Sequence, residues 1–267
     1  MEIEMNRRVL AAALLPFFAT SSFAADMAVK APPPPAPATS NWTGFYVGGN
    51  VGYGWGDPRT DTNWSNLGGF AGAPSASAVT TNTLKLDSAS GGFQAGYNLQ
   101  LSPMVVAGLE ADWQATNAKA SANNSTAYSL LGILPATATS NYQTKLLSFG
   151  TVRARLGYLA GANLFYATGG FAYGREEVGG TLNESVGGIG IAASSGFGAS
   201  QTATGWTVGG GVEGPIANKL TWKAEYLYLD LGALNFFSSG PGTLEPYSGQ
   251  AQFRENVVRV GLNYRLN

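Results

Sequence analysis

Glu110 and Asp112 are the residues of this chain best spaced for chemistry. Two carboxylates two positions apart on an extended segment share one face, and such a pair can divide acid and base roles between them. The same spacing recurs downstream in Arg153 and Arg155, and the polar positions of later segments add Glu213, Lys223, Glu225 and Arg259. Four acids against four bases favour pairing over catalysis, with the arginines holding Glu110 and Asp112 in ion pairs. The chain has no histidine and no cysteine, so a Ser-His-Asp arrangement cannot be assembled. No enzyme, no metal centre and no cofactor is expected. Gly209-Gly210-Gly211-Val212-Glu213-Gly214 fits a dinucleotide-binding pattern, but it lies within an extended segment and runs into Pro215, whereas that chemistry needs a strand before the glycines and a helix after them. Asn41-Trp42-Thr43 and Asn63-Trp64-Ser65 match the N-glycosylation pattern, which is frequent by chance.

Eight segments must position these charges. Each alternates apolar and polar residues, the signature of a strand with two unlike faces. They cover about residues 42–55, 86–99, from 104 through 114, 145–159, 164–175, 204–214, 219–231 and 254–266. In the first, Phe45, Val47, Val51, Tyr53 and Trp55 oppose Tyr46, Gly48, Asn50 and Gly52. In the third, Leu109, Ala111 and Trp113 oppose Glu110, Asp112 and Gln114. The fourth sets Val152, Ala154, Leu156 and Tyr158 against Thr151, Arg153 and Arg155; the sixth sets Trp206, Val208 and Val212 against Glu213 and glycines. The seventh sets Trp222, Ala224 and Tyr226 against Lys223 and Glu225, and the eighth sets Val258, Val260 and Leu262 against Arg259. The fifth is apolar on both faces, and its faces are left open.

The gaps alternate in length. Residues 100–103, 160–163 and 215–218 are turn-sized; 57–85, 115–144, 176–203 and 232–253 are long and rich in small polar residues. That rhythm predicts an all-β fold, an eight-stranded antiparallel up-and-down transmembrane β-barrel with short periplasmic turns and long extracellular loops. The segments are longer than the five or six residues of a sandwich strand and match the membrane-spanning length of a tilted strand. Charged residues are only 12% of the 267 and glycines number 37, a composition unlike that of a soluble surface. The long loops read as solvated segments without specific chemistry.

Residues 1–24 read as a cleavable signal peptide. Arg7 and Arg8 precede eleven apolar residues, too few to span a bilayer, and Ser22-Phe23-Ala24 places cleavage between Ala24 and Ala25. Met5 is an alternative start. Residues 25–41, with five prolines between 31 and 39, read as a periplasmic linker, leaving 42–267 as the barrel. The destination is the bacterial outer membrane. With a formal net charge of −1 and no basic stripe, nucleic acid is excluded as a partner.

The apolar faces are expected to meet lipid, with Phe45, Trp55, Trp113, Tyr158, Trp206, Trp222 and Tyr226 as interfacial aromatics. An eight-stranded barrel has an interior just wide enough for side chains. Glu110, Asp112, Arg153, Arg155, Glu213, Lys223, Glu225 and Arg259 are therefore expected to pair inside and plug the lumen, the inward glycines making room for the long arginines. A narrow porin and a surface binding module working through the long loops are the alternatives.

Trp42-Thr43-Gly44-Phe45-Tyr46-Val47-Gly48-Gly49, Gly150-Thr151-Val152-Arg153-Ala154-Arg155-Leu156-Gly157-Tyr158 and Tyr166-Ala167-Thr168-Gly169-Gly170 resemble the small RopB-type outer-membrane proteins of alphaproteobacteria. So do Gly205-Trp206-Thr207-Val208-Gly209-Gly210-Gly211-Val212-Glu213 and Lys223-Ala224-Glu225-Tyr226-Leu227-Tyr228. The resemblance implies an architecture similar to the membrane domain of outer-membrane protein A, and an abundant surface antigen that supports envelope integrity. Its implied partners are outer-membrane lipid, lipopolysaccharide and the barrel-assembly machinery, with peptidoglycan or surface ligands as further ones. Some similar proteins are called porins or haem binders; this chain offers haem no histidine. Such barrels end on an aromatic residue, whereas this chain ends Tyr264-Arg265-Leu266-Asn267.

Overall fold

The computed structural model describes residues 41–67, 76–83, 85–130, 133–187, 190–238 and 247–266. The expected signal peptide with its Ala24–Ala25 cleavage site, the linker up to residue 40, and Asn267 lie outside the described residues. Among the described residues, eleven strands follow one another: β1 Gly44–Gly56, β2 Arg59–Leu67, β3 Ala76–Thr83, β4 Leu86–Ser102, β5 Val105–Thr116, β6 Lys119–Leu130, β7 Leu134–Ala160, β8 Asn163–Val186, β9 Ile191–Pro215, β10 Leu220–Ser238 and β11 Tyr247–Arg265. Eight of them form a closed antiparallel ring in the order β1, β4, β5, β7, β8, β9, β10, β11 and back to β1. Closure leaves no open edge where the chain meets hydrocarbon, which is the only way a sheet can cross a bilayer.

Alternation sets the two surfaces. Phe45, Val51, Phe93, Leu109 and Leu156 face outward and are each at least 60% exposed, while the residues between them on the same strands point in and are mostly buried. A face this apolar would drive a soluble protein to associate; facing lipid, it is satisfied. Phe45, Trp55, Trp113, Tyr158, Trp206, Trp222 and Tyr226 all lie on this outer face. Neighbouring rings meet there, Trp55 with Tyr226 at 6.5 Å and Phe93 with Trp113 at 5.5 Å. The structure also decides the segment whose two faces were both apolar: Phe165, Phe171 and Tyr173 are exposed, whereas Leu164 and Tyr166 are buried in the interior.

One end is plain. β4 joins β5 through Pro103 and Met104, β7 joins β8 through Gly161 and Ala162, and β9 joins β10 through residues 216–219. Gly161 has φ +63°, the left-handed conformation that a two-residue hairpin turn demands and that glycine adopts without steric cost.

At the other end the long gaps are not the solvated loops the composition suggests. They are mostly strand. β7, β8 and β9 run 27, 24 and 25 residues, about twice the length a tilted strand needs to cross a bilayer, and their ladder continues, with one register shift between Leu146 and Ser148, out to Ala136↔Val186 and Val186↔Ile191. β6 pairs along β7; β2 pairs antiparallel beside residues 247–252 of β11, and β3 pairs with β2. Backbone amides and carbonyls leaving the bilayer find partners in this way even where side chains are small and polar. Composition reports side-chain polarity, and this pairing is a property of the backbone.

Candidate functional site

The barrel interior contains all eight of the charged residues singled out above, each 6% exposed or less. They form one network. Arg153 lies at its centre: Nη2 donates to Glu110 Oε1 at 2.5 Å and to Asp112 Oδ2 at 2.9 Å, and Nη1 donates to Glu225 Oε1 at 3.1 Å. β5 places Glu110 beside Arg153 by register, while Glu225 reaches in from β10, on another part of the wall. Arg259 on β11 donates through Nε to Glu225 Oε2 at 2.6 Å and through Nη2 to Asp112 Oδ2 at 3.0 Å. Lys223 Nζ donates to both Glu110 oxygens at 2.6 and 2.8 Å. Arg155 donates to Glu213 Oε2 at 2.9 Å and stands 3.6 Å from Glu110.

Neutral side chains complete the network, and most were not singled out from the sequence. The Tyr46 hydroxyl donates to Glu110 at 2.6 Å and accepts from Arg155 at 2.9 Å; the Tyr166 hydroxyl donates to Glu225 at 3.0 Å. The two rings flank the Arg155 guanidinium, whose carbon lies 4.0 Å from the Tyr166 centroid and 5.7 Å from that of Tyr46. Thr151 donates to Asp112 and Thr221 to Glu213. Asn50, Gln94 and Asn263 form a hydrogen-bonded chain ending on Glu213. Inward parity marks Tyr46, Thr151 and Asn50 in the sequence. Tyr166 carried no such mark, because its strand is apolar on both faces.

The glycines need a partial correction. Gly52 and Gly108 do leave space beside Arg259 and Arg155, but a Cβ at Gly96 would collide with the Tyr46 ring and one at Gly211 with the Tyr166 ring. Much of the room therefore belongs to tyrosines.

Buried apolar clusters lie in the interior on both sides of the charges, a feature that an alternating pattern with a polar inner face does not announce. Trp42, Val106, Leu159 and Leu164 pack with Tyr166 near the short turns. Towards the long strands, Leu86, Leu146, Phe149, Leu227, Leu229 and Phe253 belong to a second buried cluster. Leu227 and Leu229 keep the parity of Lys223 and Glu225, whereas Phe149 and Leu146 both face in because the register shifts between Leu146 and Ser148.

Glu176 stands opposite Leu146 of this second cluster, three residues past Tyr173 and one past the spanning stretch 164–175 of β8. It is 2% exposed, its Oε1 has no hydrogen-bond partner among the described residues, and burial pushes its carboxyl up to about 7. A carboxyl raised in the folded state favours folding while protonated. That advantage is complete below the unfolded value near 4.5 and is lost as pH rises through 7. Glu176→Gln is therefore expected to match the parent protein at pH 4 and to exceed its stability at pH 8 by on the order of 3 kcal/mol. Urea unfolding from micelles, followed by tryptophan fluorescence at the two pH values, measures the difference; equal gains at both would show that the charge of Glu176 is not the cause.

The outer membrane protein beta-barrel domain family matches residues 10–265. The 31 kDa outer-membrane immunogenic protein of Brucella melitensis is 36% identical over 274 aligned positions, covering 97% of this chain and 100% of its own. The 22 kDa outer membrane protein of Rhizobium leguminosarum bv. viciae is 27% identical, covering 90% of this chain and 83% of its own. Among solved structures, the outer membrane protein OprG of Pseudomonas aeruginosa is 10% identical with a TM-score of 0.46, covering 86% of this chain and 99% of its own.

Proposed function

The chain belongs to the outer membrane protein beta-barrel domain family and resides in the outer membrane, and on that premise we propose that it is a structural, non-conducting envelope barrel whose lumen is sealed by its own side chains. The observation that carries this reading is the network centred on Arg153. Its ion pairs tie β5, β7, β9, β10 and β11 together through the middle of the barrel, where an open pore would hold water. An eight-stranded ring leaves little more than side-chain volume inside, and the apolar layers on either side of the charges offer a hydrated ion no path. The carboxylates Glu110 and Asp112 are engaged by cations, which supports a non-catalytic role. The long outer strands are the part exposed at the cell surface, and the Brucella relative's name as an immunogenic protein supports an antigenic surface. Outer-membrane lipid, lipopolysaccharide and the barrel-assembly machinery are the partners this role requires, and peptidoglycan is one it allows.

Conductance across planar bilayers tests the reading. Purified barrel is expected to give no stable unitary current at neutral pH. Defined, reproducible channels from protein that still migrates as a folded species would replace the sealed barrel with a narrow porin.

A further inference from the structure

We propose that the outer face of β6, β7 and β8, immediately beyond the outer aromatic belt, is a headgroup site for a phosphate-bearing glycolipid of the outer leaflet. The proposal rests on the membrane-spanning reading above. It starts from where the cations lie. Arg153, Arg155, Lys223 and Arg259 are buried in the lumen, and Lys219 and Arg265 lie at the short-turn end. Arg59 and Arg254 are paired with Asp61 and Asp230 at 3.1 and 3.0 Å. The other described cations, Lys85, Lys119, Lys145 and Arg175, have no carboxylate within ion-pairing distance among the described residues, and all four fall at the outer end of neighbouring strands.

Register fixes their arrangement. Asp87 on β4 stands opposite Lys119 on β6, Lys119 opposite Lys145 on β7, and Lys145 opposite Glu177 on β8. Arg175 shares the outward face with Glu177 two residues nearer the bilayer, and Tyr173, a further two residues in, is exposed to lipid. The patch holds four cations against two carboxylates. Lysines directly opposite one another repel, and an anion placed between them relieves that repulsion. Beside Lys145 the same face carries a groove of about 390 Å³ bordered by Gln143, Glu177 and Ser200, with Gly179 and Gly198 contributing no side chains. Polar walls over bare backbone suit a sugar ring. The occupant is a lipid rather than a free anion because, below the groove, the same outward face carries the exposed apolar side chains of Tyr173, Phe171 and Val152, so one molecule can satisfy both surfaces.

The test uses the full-length folded barrel in neutral detergent with three probes: bisphosphorylated lipid A, the same lipid stripped of its phosphates, and inorganic phosphate. Binding is read by native mass spectrometry. The triple variant K119Q/K145Q/R175Q is expected to bind lipid A roughly a hundredfold more weakly, at about 1 kcal/mol for each cation near the surface. The K219Q variant, altered at the opposite end, is expected to bind as the parent does. Unchanged affinity in the triple variant, or equal affinity for the dephosphorylated lipid, overturns the site. Displacement of the lipid by inorganic phosphate at matching concentration overturns the lipid assignment. Each sample is also run unheated and boiled on a gel. A parent protein without a heat-shifted band overturns the barrel reading and the site with it, whereas a folded parent and a folded triple variant that bind lipid A equally overturn the site alone.

Discussion

Arg153→Ala is expected to destabilise the barrel by about 3–5 kcal/mol, the cost of leaving buried charge without its partner. The side chain is fully buried and holds three carboxylates, Glu110, Asp112 and Glu225, with Nη2 shared between the first two. Lys223 and Arg259 remain, but they already serve Glu110, Asp112 and Glu225 themselves. With Arg153 gone, the network keeps four acids against three bases, all of them buried. Urea unfolding from micelles measures the loss. Glu110→Ala should also destabilise, and the double variant E110A/R153A should cost less than the sum of the two, because each single change strands the other's charge. Unfolding midpoints that do not move in either single variant would show that the network is not structural.

Gly211→Val is expected to abolish folding. A Cβ at this position would meet the Ala224 carbonyl oxygen at 2.5 Å and the Tyr166 hydroxyl and Cζ at 2.6 and 2.8 Å. Neither obstacle can step aside. The carbonyl belongs to the β9–β10 ladder, where Gly211 stands opposite Glu225, and the ring is held by its hydrogen bond to Glu225 and by the guanidinium stacked on it. A flexible side chain in the way would cost about 1–3 kcal/mol; here the barrel wall or the core of the network must move. Gly49→Ala is the matching control, since Gly49 faces outward and its Cβ would meet only the Gly92 carbonyl at 3.7 Å. Gel migration of unheated and boiled samples is expected to show a folded species for Gly49→Ala and none for Gly211→Val. A folded Gly211→Val barrel would mean that the wall between β9 and β10 yields more readily than its hydrogen bonding suggests.

These two sites show different degrees of legibility. Arg153 could be found from parity alone: it alternates with Val152 and Ala154 on a strand whose greasy face is unambiguous, and its nearest acids lie on the adjoining segment at the same spacing. Gly211 could be recognised as an inward glycine, but nothing in its neighbours says that it makes room for Tyr166. That ring comes from a strand apolar on both faces, and its direction was settled only when Phe165 and Phe171 went to lipid.

The long gaps show the opposite limit. Small, uncharged residues between 176 and 203 carry no alternation strong enough to mark a strand. They pair because β8 and β9 leave the bilayer already in register, and each further pair satisfies amides and carbonyls that would otherwise need water.

The sequence by itself determined the ring of strands, which face of seven of its eight segments meets lipid, and which charges lie within, because a period of two on a segment of membrane length admits one arrangement in hydrocarbon. Only the tertiary structure decided the rest. That Arg155 lies between two tyrosines, that apolar layers lie above and below the charges, and that unpaired lysines gather on one outer face all depend on strands distant in the chain. Their relative height is set by the register of the closed barrel, which no local pattern records.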